Sequence, residues 1–545
     1  MTNVKFSRVE FEKHIKLKPE VIEKISLFGT PLESINDKEI EIEIFPNRPD
    51  LISMQGYIRS FKAFLGLEKG IKKYKVRKSN LKLTVDKSVP KEWPYAYACI
   101  IKNIKLNVEN IKEIIQVQEK LIYTLLRNRK KGGIGIYPLD KINFPIMLKG
   151  VELDKINFRP LGAAVEMKGS QILAKHPTGK KYSSICQSWS KIPVFVDNTN
   201  KIMSMLPIIN SHDLGKVDEN SKDLFIEVTG TDKKTLKKTL NIIATCLADI
   251  GGKIFSIECI QENKEIEDSP NLNAEINKIS LDKINKILGL DLKEKNIEEL
   301  ISKMGHEYKK GKIISPAWRT DILHEIDLIE DIAIAYGYEN IEPKIPSIST
   351  IGEESIKSKV IKKISDILIG LNLTEISSYH LIKQEDLRKI KEKELIELMD
   401  SKTDYNFLRP NLLIPALKML SENKDVEYPQ RIFEIGTVFK RDKKNKFETG
   451  IRERINLLIA ISPGNFTEIK QILDNLLKNL EINFTIKESV HKELVEGRTA
   501  DIILNKKIGK LGEVHPKTLK LWNINMPISI LEISLDRIIN DFKNN

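Results

Sequence analysis

Only four cysteines occur in 545 residues: Cys99, Cys186, Cys246 and Cys259. None forms a CxxC pair or has a histidine partner nearby, which argues against a disulfide frame or a zinc site and for a reducing, cytoplasmic setting. No run approaches the ~20 apolar residues of a membrane span, and residues 1–30 lack the apolar core of a signal peptide. Internal repeats and long low-complexity tracts are missing as well. Gly132-Gly-Ile-Gly-Ile136 is rich in glycine but is followed by no lysine and Ser/Thr. It is therefore no phosphate loop, and its alternation suits a strand. There is no Ser-His-Asp or Cys-His constellation either, so any hydrolysis here would run through water rather than a covalent enzyme intermediate.

What the chain does have is enough apolar material for several cores, 41% hydrophobic against 30% charged residues. Its length predicts roughly three to five domains. The net charge of +13 is a moderate bias toward polyanions such as RNA. Lysine-rich surfaces also serve solubility, so charge alone decides nothing.

Ile40-Glu-Ile-Glu-Ile44 alternates strictly and predicts a half-buried strand. Phe45-Pro-Asn-Arg-Pro-Asp50 is a turn forced by two prolines, with Asp50 as N-cap candidate. Leu51, Met54, Ile58, Phe61 and Leu65 then recur at helical spacing until Gly66. A charged connector over residues 68–78 leads to Leu81–Val85, which opens a new region. Strands and helices alternate from there to about residue 260. A helix near Ile111–Leu126 ends in Arg127, Arg129, Lys130 and Lys131, a grip for RNA phosphates or a complement to the helix dipole. Residues 261–269 read as a polar linker, about 273–345 as a helix-rich module, and 354–545 as a further mixed section.

The segment Ser315–Tyr338 concentrates acids. As a helix ending near Gly337, it puts Asp327, Glu330 and Asp331 at i, i+3 and i+4, on one face. Ile326, Ile329, Ile332, Ala333 and Tyr336 form the opposite, apolar stripe. Two readings stand. With Asp321 added, the acids suit Mg²⁺, which takes oxygen ligands; alternatively, acids near a helix start complement its dipole. Glu325 points away on the helical wheel, and His324 offers a nitrogen that suits Mg²⁺ poorly.

Several motifs together resemble one family, the phenylalanine–tRNA ligase beta subunit of the archaeal and eukaryotic type. They are Phe45-Pro-Asn-Arg-Pro-Asp-Leu51, Arg159-Pro-Leu-Gly162, His176-Pro-Thr-Gly-Lys180, Pro207-Ile-Ile-Asn210 and Phe225-Ile-Glu-Val-Thr-Gly-Thr231. The acidic segment, Arg431-Ile-Phe-Glu-Ile-Gly436, Glu496-Gly-Arg-Thr-Ala500 and Gly512-Glu-Val-His-Pro516 continue the series. The resemblance implies a multidomain α+β chain. Its parts would be an N-terminal α/β module (1–90), a tRNA-editing domain (91–265), a winged-helix-like metal-binding module (270–345) and a C-terminal class II synthetase-like antiparallel sheet (354–545). It implies an alpha-subunit partner in an (αβ)₂ heterotetramer that charges the tRNA for phenylalanine using ATP. It places Mg²⁺ on Asp321, Asp327, Glu330 and Asp331.

The family's editing pocket, which clears tyrosine misattached to that tRNA, matches Phe195, Ser204, Asn210, Glu227 and Thr229. Glu227 would accept the phenol proton, and Ser204, Asn210 and Thr229 would orient water or the ester. Two departures stand out. Relatives of this type usually carry aspartate at Glu227, and read Gly-Ile-His-Asp where this chain has Gly135-Ile-Tyr-Pro138. A scaffold with a decayed pocket, or a free-standing editing hydrolase, are the alternatives. No glycine-rich stretch ending in Glu-Arg follows Arg431–Gly436, so the ATP-clamping arginine of active class II cores is missing from its place. Arg409 matches a position at the class II-like interface, with a plain surface arginine as the other reading. His176 and His515 precede proline and read as turn caps, and Trp318 and Tyr336 as core or interface aromatics.

Overall fold

The alternating Ile40–Ile44 run lies in the strand Glu39–Ile44, central in a three-stranded antiparallel sheet with Thr2–Ser7 and Leu32–Ile35. These are features of a computed structural model that describes residues 2–346, 350–390, 395–399, 401–442 and 447–544. The chain divides into two units, residues 1–344 and 345–545.

In the first unit, the predicted helical stripe folds as Met54–Phe64, closed by Gly66 at φ 79°. Asp50 is not its cap. Ser53 accepts the Gly56 amide at 2.9 Å, while Asp50 is buried in a two-pronged pair with Arg48, both contacts at 2.9 Å. The two prolines set a short 3₁₀ turn at Pro49–Leu51, which moves the helix start three residues on.

A ten-stranded sheet follows. In order it runs Ile209–Asn210, Ile202–Met205, Ile192–Val196, Ile146–Val151, Arg77–Val85, Lys253–Ile260, Tyr95–Lys102, Leu224–Gly230 and Gly132–Pro138, with Ile266–Ser269 paired to Lys253–Ile260. The glycine-rich run is thus a strand, as its alternation predicts. Two sequence readings change. Arg77–Val85 belongs to this sheet rather than to the module of residues 1–90, because it pairs in parallel with Lys253–Ile260 and Ile146–Val151. The supposed linker after Gln261 is a hairpin, turned at Lys264 with φ 65° and returning as Ile266–Ser269. Ser269 anchors it by donating to the buried Ala98 carbonyl at 2.7 Å. Helices Val108–Tyr123 and Lys233–Asp249 flank the sheet.

Arg59, on Met54–Phe64, ties this unit together. It pairs with Asp249 at 2.6 Å, donates to the Tyr74 hydroxyl at 2.8 Å and stacks over the Trp318 ring at 4.3 Å. Trp318 belongs to the winged-helix-like part: helices Leu281–Leu288, Glu294–Lys303 and Glu325–Tyr336 with the strands Glu275–Lys278, Glu307–Lys309 and Lys312–Ser315.

The second unit is built on a seven-stranded sheet, antiparallel except at one edge. Its order is Thr374–Glu375, Gln430–Arg441, Ile451–Ser462, Ser529–Ser534, Lys506–Val514, Leu494–Leu504 and Thr485–Glu488. Helices Ile356–Gly370 and Phe466–Asn479 contribute to a core on one side of it. Among the described residues, no helix is long and apolar enough to cross a membrane.

Candidate functional site

The strands Leu224–Gly230 and Gly132–Pro138 pair so that Thr229 lies opposite Gly133, Glu227 opposite Gly135 and Phe225 opposite Tyr137. On the other side of Leu224–Gly230, Ala96 and Ala98 of Tyr95–Lys102 lie opposite Thr229 and Glu227. Because opposed residues share a face, Glu227 and Thr229 rise from a floor of glycines and alanines. At the far end of the sheet, Phe195 pairs with Ser204 and Ser204 with Asn210, again on one face. The two ends meet: Arg129 donates to the carbonyls of Pro207 at 2.5 Å and Ile208 at 2.8 Å, and Tyr137 reaches Asn210. Arg129 also stacks on Tyr182 at 4.5 Å, so this member of the basic cluster is held in structure rather than standing free.

All five residues expected for the pocket are therefore placed. Phe195, Ser204, Glu227 and Thr229 are fully buried, and Asn210 is half-buried. The Tyr137 hydroxyl stands 3.3 Å from Glu227 Oε1 and 3.2 Å from Asn210 Oδ1. Among the described residues, Ser204 Oγ, Thr229 Oγ1 and the other Glu227 oxygen have no hydrogen-bond partner. Unmatched buried polar atoms occur elsewhere in the chain as well, and three share this one pocket.

Burial pushes the Glu227 carboxyl up to about 8, although its bond to Tyr137 works the other way. Burial, then the neighbouring Glu227, holds the Tyr137 phenol well above its ordinary value. One phenol proton cannot serve two acceptors. Either a protonated Glu227 that donates to the phenol oxygen or an Asn210 amide turned to present its NH₂ removes the conflict. The raised Glu227 value carries a sign. Between the ordinary 4.5 and about 8, the native state holds a proton that the unfolded chain has released, so stability falls as pH rises through that window. Glu227→Gln removes the effect. Its urea midpoint relative to wild type is expected to climb from pH 5 to pH 9, and a constant offset would contradict a buried, protonated Glu227.

The acidic segment folds as Glu325–Tyr336, capped by Gly337, but its faces differ from the sequence expectation. Leu328, Ile329, Ile332 and Ala333 are buried, Ile326 is exposed, and Asp331 lies on the buried side. The reason is Arg319, whose side chain is 2% exposed. It grips Asp321 with two contacts at 2.8 and 2.7 Å, reaches Asp331 at 2.7 Å, and meets His306 Nε2 at 2.9 Å. His306 Nε2 lies 2.9 Å from Asp331 Oδ2 as well, so it either accepts from the guanidinium or donates to the carboxylate, and Nδ1 meets Ser315 Oγ at 3.0 Å. Burial lowers the His306 value and keeps the ring neutral.

The remaining acids are engaged elsewhere. Asp327 accepts the Leu323 and His324 amides at 2.8 and 2.7 Å, Glu330 accepts the Tyr338 hydroxyl at 2.7 Å, and Glu325 pairs with Lys283. Among the described residues, no group of three or more His, Cys, Asp or Glu side chains is placed to hold a metal ion. The Mg²⁺ expected on Asp321, Asp327, Glu330 and Asp331 does not fit this arrangement. The cation between Asp321 and Asp331 is the guanidinium of Arg319. Asp327 does what the dipole reading assigns to acids at a helix start.

His324, His176 and His515 all cap helix starts, accepting amides of Ile326 at 3.3 Å, Thr178 at 3.3 Å and Lys517 at 3.1 Å. Sequence reasoning missed Arg319 and His306. The only trace was the arginine two places before Asp321, a spacing that lets one side chain fold onto the other.

Arg409 is not a surface residue. It is buried in the second unit and paired with Glu434 of the Arg431–Gly436 motif at 2.7 Å.

Comparison with known proteins agrees with these features. Residues 277–338 match the family described as tRNA synthetase B5 domain, and residues 341–535 the phenylalanyl tRNA synthetase beta chain CLM domain. A phenylalanine–tRNA ligase beta subunit of Archaeoglobus fulgidus is 36% identical over 527 residues, covering 94% of each chain. One from Methanococcus aeolicus is 35% identical over 558 residues, covering 98% of this chain and all of the other. A crystal structure of an N-terminal fragment of the Pyrococcus horikoshii beta subunit superposes with a TM-score of 0.59 at 34% identity, over 62% of this chain and 99% of the fragment. The chain belongs to the phenylalanine–tRNA ligase beta-subunit family.

Proposed function

We propose that the chain works in the cytoplasm as the beta subunit of a phenylalanine–tRNA ligase, paired with an alpha subunit in an (αβ)₂ assembly that joins phenylalanine to its tRNA using ATP. The observation that carries this is the end-to-end likeness to the Archaeoglobus relative, 94% of both chains. Amino-acid activation is assigned to the alpha subunit. The motif glutamate here, Glu434, is held by Arg409 and Ser378, and the Glu-Arg pair that follows on the paired strand, Glu453-Arg454, does not close a glycine-rich stretch. Residues 354–545 then act as an assembly surface.

The test is co-expression with the alpha subunit. The pair should charge the tRNA, and this chain alone should give no phenylalanine-dependent exchange of pyrophosphate into ATP. Activation by this chain alone would overturn the division of labour.

Residues 91–265 are read as a second sieve. A pocket shaped for a phenyl ring rejects the same ring plus a hydroxyl by only on the order of 10². A site that hydrogen-bonds the phenol favours the wrong product instead. Water would add to the ester carbonyl, the bond from that carbon to the ribose oxygen would break, and a proton would pass to the departing oxygen, freeing tyrosine and tRNA. Glu227 is assigned to the phenol, Ser204, Asn210 and Thr229 to water or the ester, and Phe195 to the pocket wall. Thr229→Ala is expected to abolish whatever hydrolysis of tyrosyl-tRNA the complex shows; undiminished hydrolysis would remove Thr229 from the site.

A further inference from the structure

The editing reading assigns Glu227 and Asn210 to recognising a phenol, and in this chain both already hold one. The Tyr137 hydroxyl lies 3.3 Å from Glu227 and 3.2 Å from Asn210, on a side chain with no exposure to solvent. Its ring packs on Phe225, centroids 5.8 Å apart, and on Gly215, where an added Cβ would come within 3.6 Å of the ring. Gly135 makes the space. A Cβ there would lie 2.2 Å from Glu227 Oε1 and 2.7 Å from the Tyr137 hydroxyl, so any other residue would push the two apart. The floor beneath Glu227 is therefore filled by a group from the same strand, two residues on.

We propose that Tyr137 is an intramolecular occupant of the phenol-reading site, closing it to the tyrosyl end of a mischarged tRNA until the ring moves aside. The inference rests on reading residues 91–265 as the editing compartment, and it adds what governs access. Glu227 completes the device. Burial drives its carboxyl up to about 8, which disfavours the charged acceptor that an incoming phenol would need. A site that opens in only about 0.1–10% of molecules works roughly 10- to 1,000-fold below capacity.

The experiment uses the complex with the alpha subunit, as wild type, Tyr137→Ala and Tyr137→His, the last keeping a ring in case the smaller residue does not fold. Two readouts are taken: hydrolysis of tyrosyl-tRNA, and binding of p-cresol against toluene by calorimetry. The expected result is that a variant binds p-cresol in preference to toluene where wild type binds neither, and clears tyrosyl-tRNA at least about tenfold faster. Selective p-cresol binding without faster hydrolysis would keep Tyr137 as occupant and overturn the editing reading. Wild type that clears tyrosyl-tRNA as fast as the variants would overturn the plug and leave editing standing. Folded variants that bind no p-cresol would overturn it too.

Discussion

Arg319→Leu should lower the stability of the first unit by about 3–5 kcal/mol, the cost of removing one partner from a buried charge cluster. The loss is large because one guanidinium serves three groups at once: Asp321, Asp331 and His306 Nε2. Without it, two carboxylates stay beside each other under cover. Burial alone would push the Asp331 carboxyl up, but Arg319 and His306 more than offset it and hold it below the usual range. The stability this supplies is complete above the ordinary carboxylate value of about 4, and is lost as pH falls below it. In Arg319→Leu the loss should begin at higher pH, since the buried acids then take up protons earlier. Urea midpoints at pH 5 and pH 8 read both effects. Lysine should recover only part, because a point charge lacks the fork that grips Asp321. Leucine combined with Asp321→Asn and Asp331→Asn should recover most, since neutralising the cluster removes the unpaired charges. A midpoint that falls as far on adding EDTA as on removing Arg319 would mean a metal, and not the guanidinium, neutralises these acids.

Arg409→Met is expected to destabilise the second unit by a similar amount, about 3–5 kcal/mol. Arg409 donates to Glu434 at 2.7 Å, the Thr437 carbonyl at 2.7 Å and Ser378 Oγ at 2.7 Å, at 1% exposure. Glu434 also accepts from Ser378, at 2.7 Å through its hydroxyl. Gly436 admits the guanidinium, since a Cβ there would stand 2.3 Å from Arg409 Nη2. Gly436→Ala should therefore weaken the same pair from the other side. Arg409→Met with Glu434→Met should cost clearly less than Arg409→Met alone, because no charge remains buried without its partner. Equal losses for the single and double variants would show that packing, rather than charge pairing, sets the cost. Chemical denaturation of the isolated chain measures all three.

Periodicity carried most of what could be read in advance. Ile40–Ile44 alternates because one face of its strand is covered and the other is not, Gly132–Ile136 alternates although both of its faces are buried, and the stripe through Met54, Ile58 and Phe61 is the buried side of its helix. Proline-flanked His176 and His515 were legible as caps for a local reason: the acceptor and the amide it meets are two residues apart. Asp331 was not. Its helical phase puts it with Asp327 and Glu330, and only partners 12 and 25 residues earlier, Arg319 and His306, make its burial affordable. Arg409 and Glu434, 25 residues apart, hid in the same way. The five pocket residues came from family resemblance. Tyr137 was visible as a departure from the family pattern, but that its phenol falls on Glu227 depends on strand register, which no local pattern states.

Arg59 bears on how freely the parts of the first unit can be inherited. Its helix lies in the N-terminal module, its carboxylate partner Asp249 ends a helix of the ten-stranded region, and the ring it stacks on, Trp318, lies in the winged-helix-like part. A recombination event that exchanged any one of these parts for a foreign counterpart would have to bring its own answer to that junction, or strand Asp249 beside Tyr74 with only the outlying Lys72 to face it. The three parts look like separable cassettes in the sequence, yet the Arg59 side chain touches all of them at once.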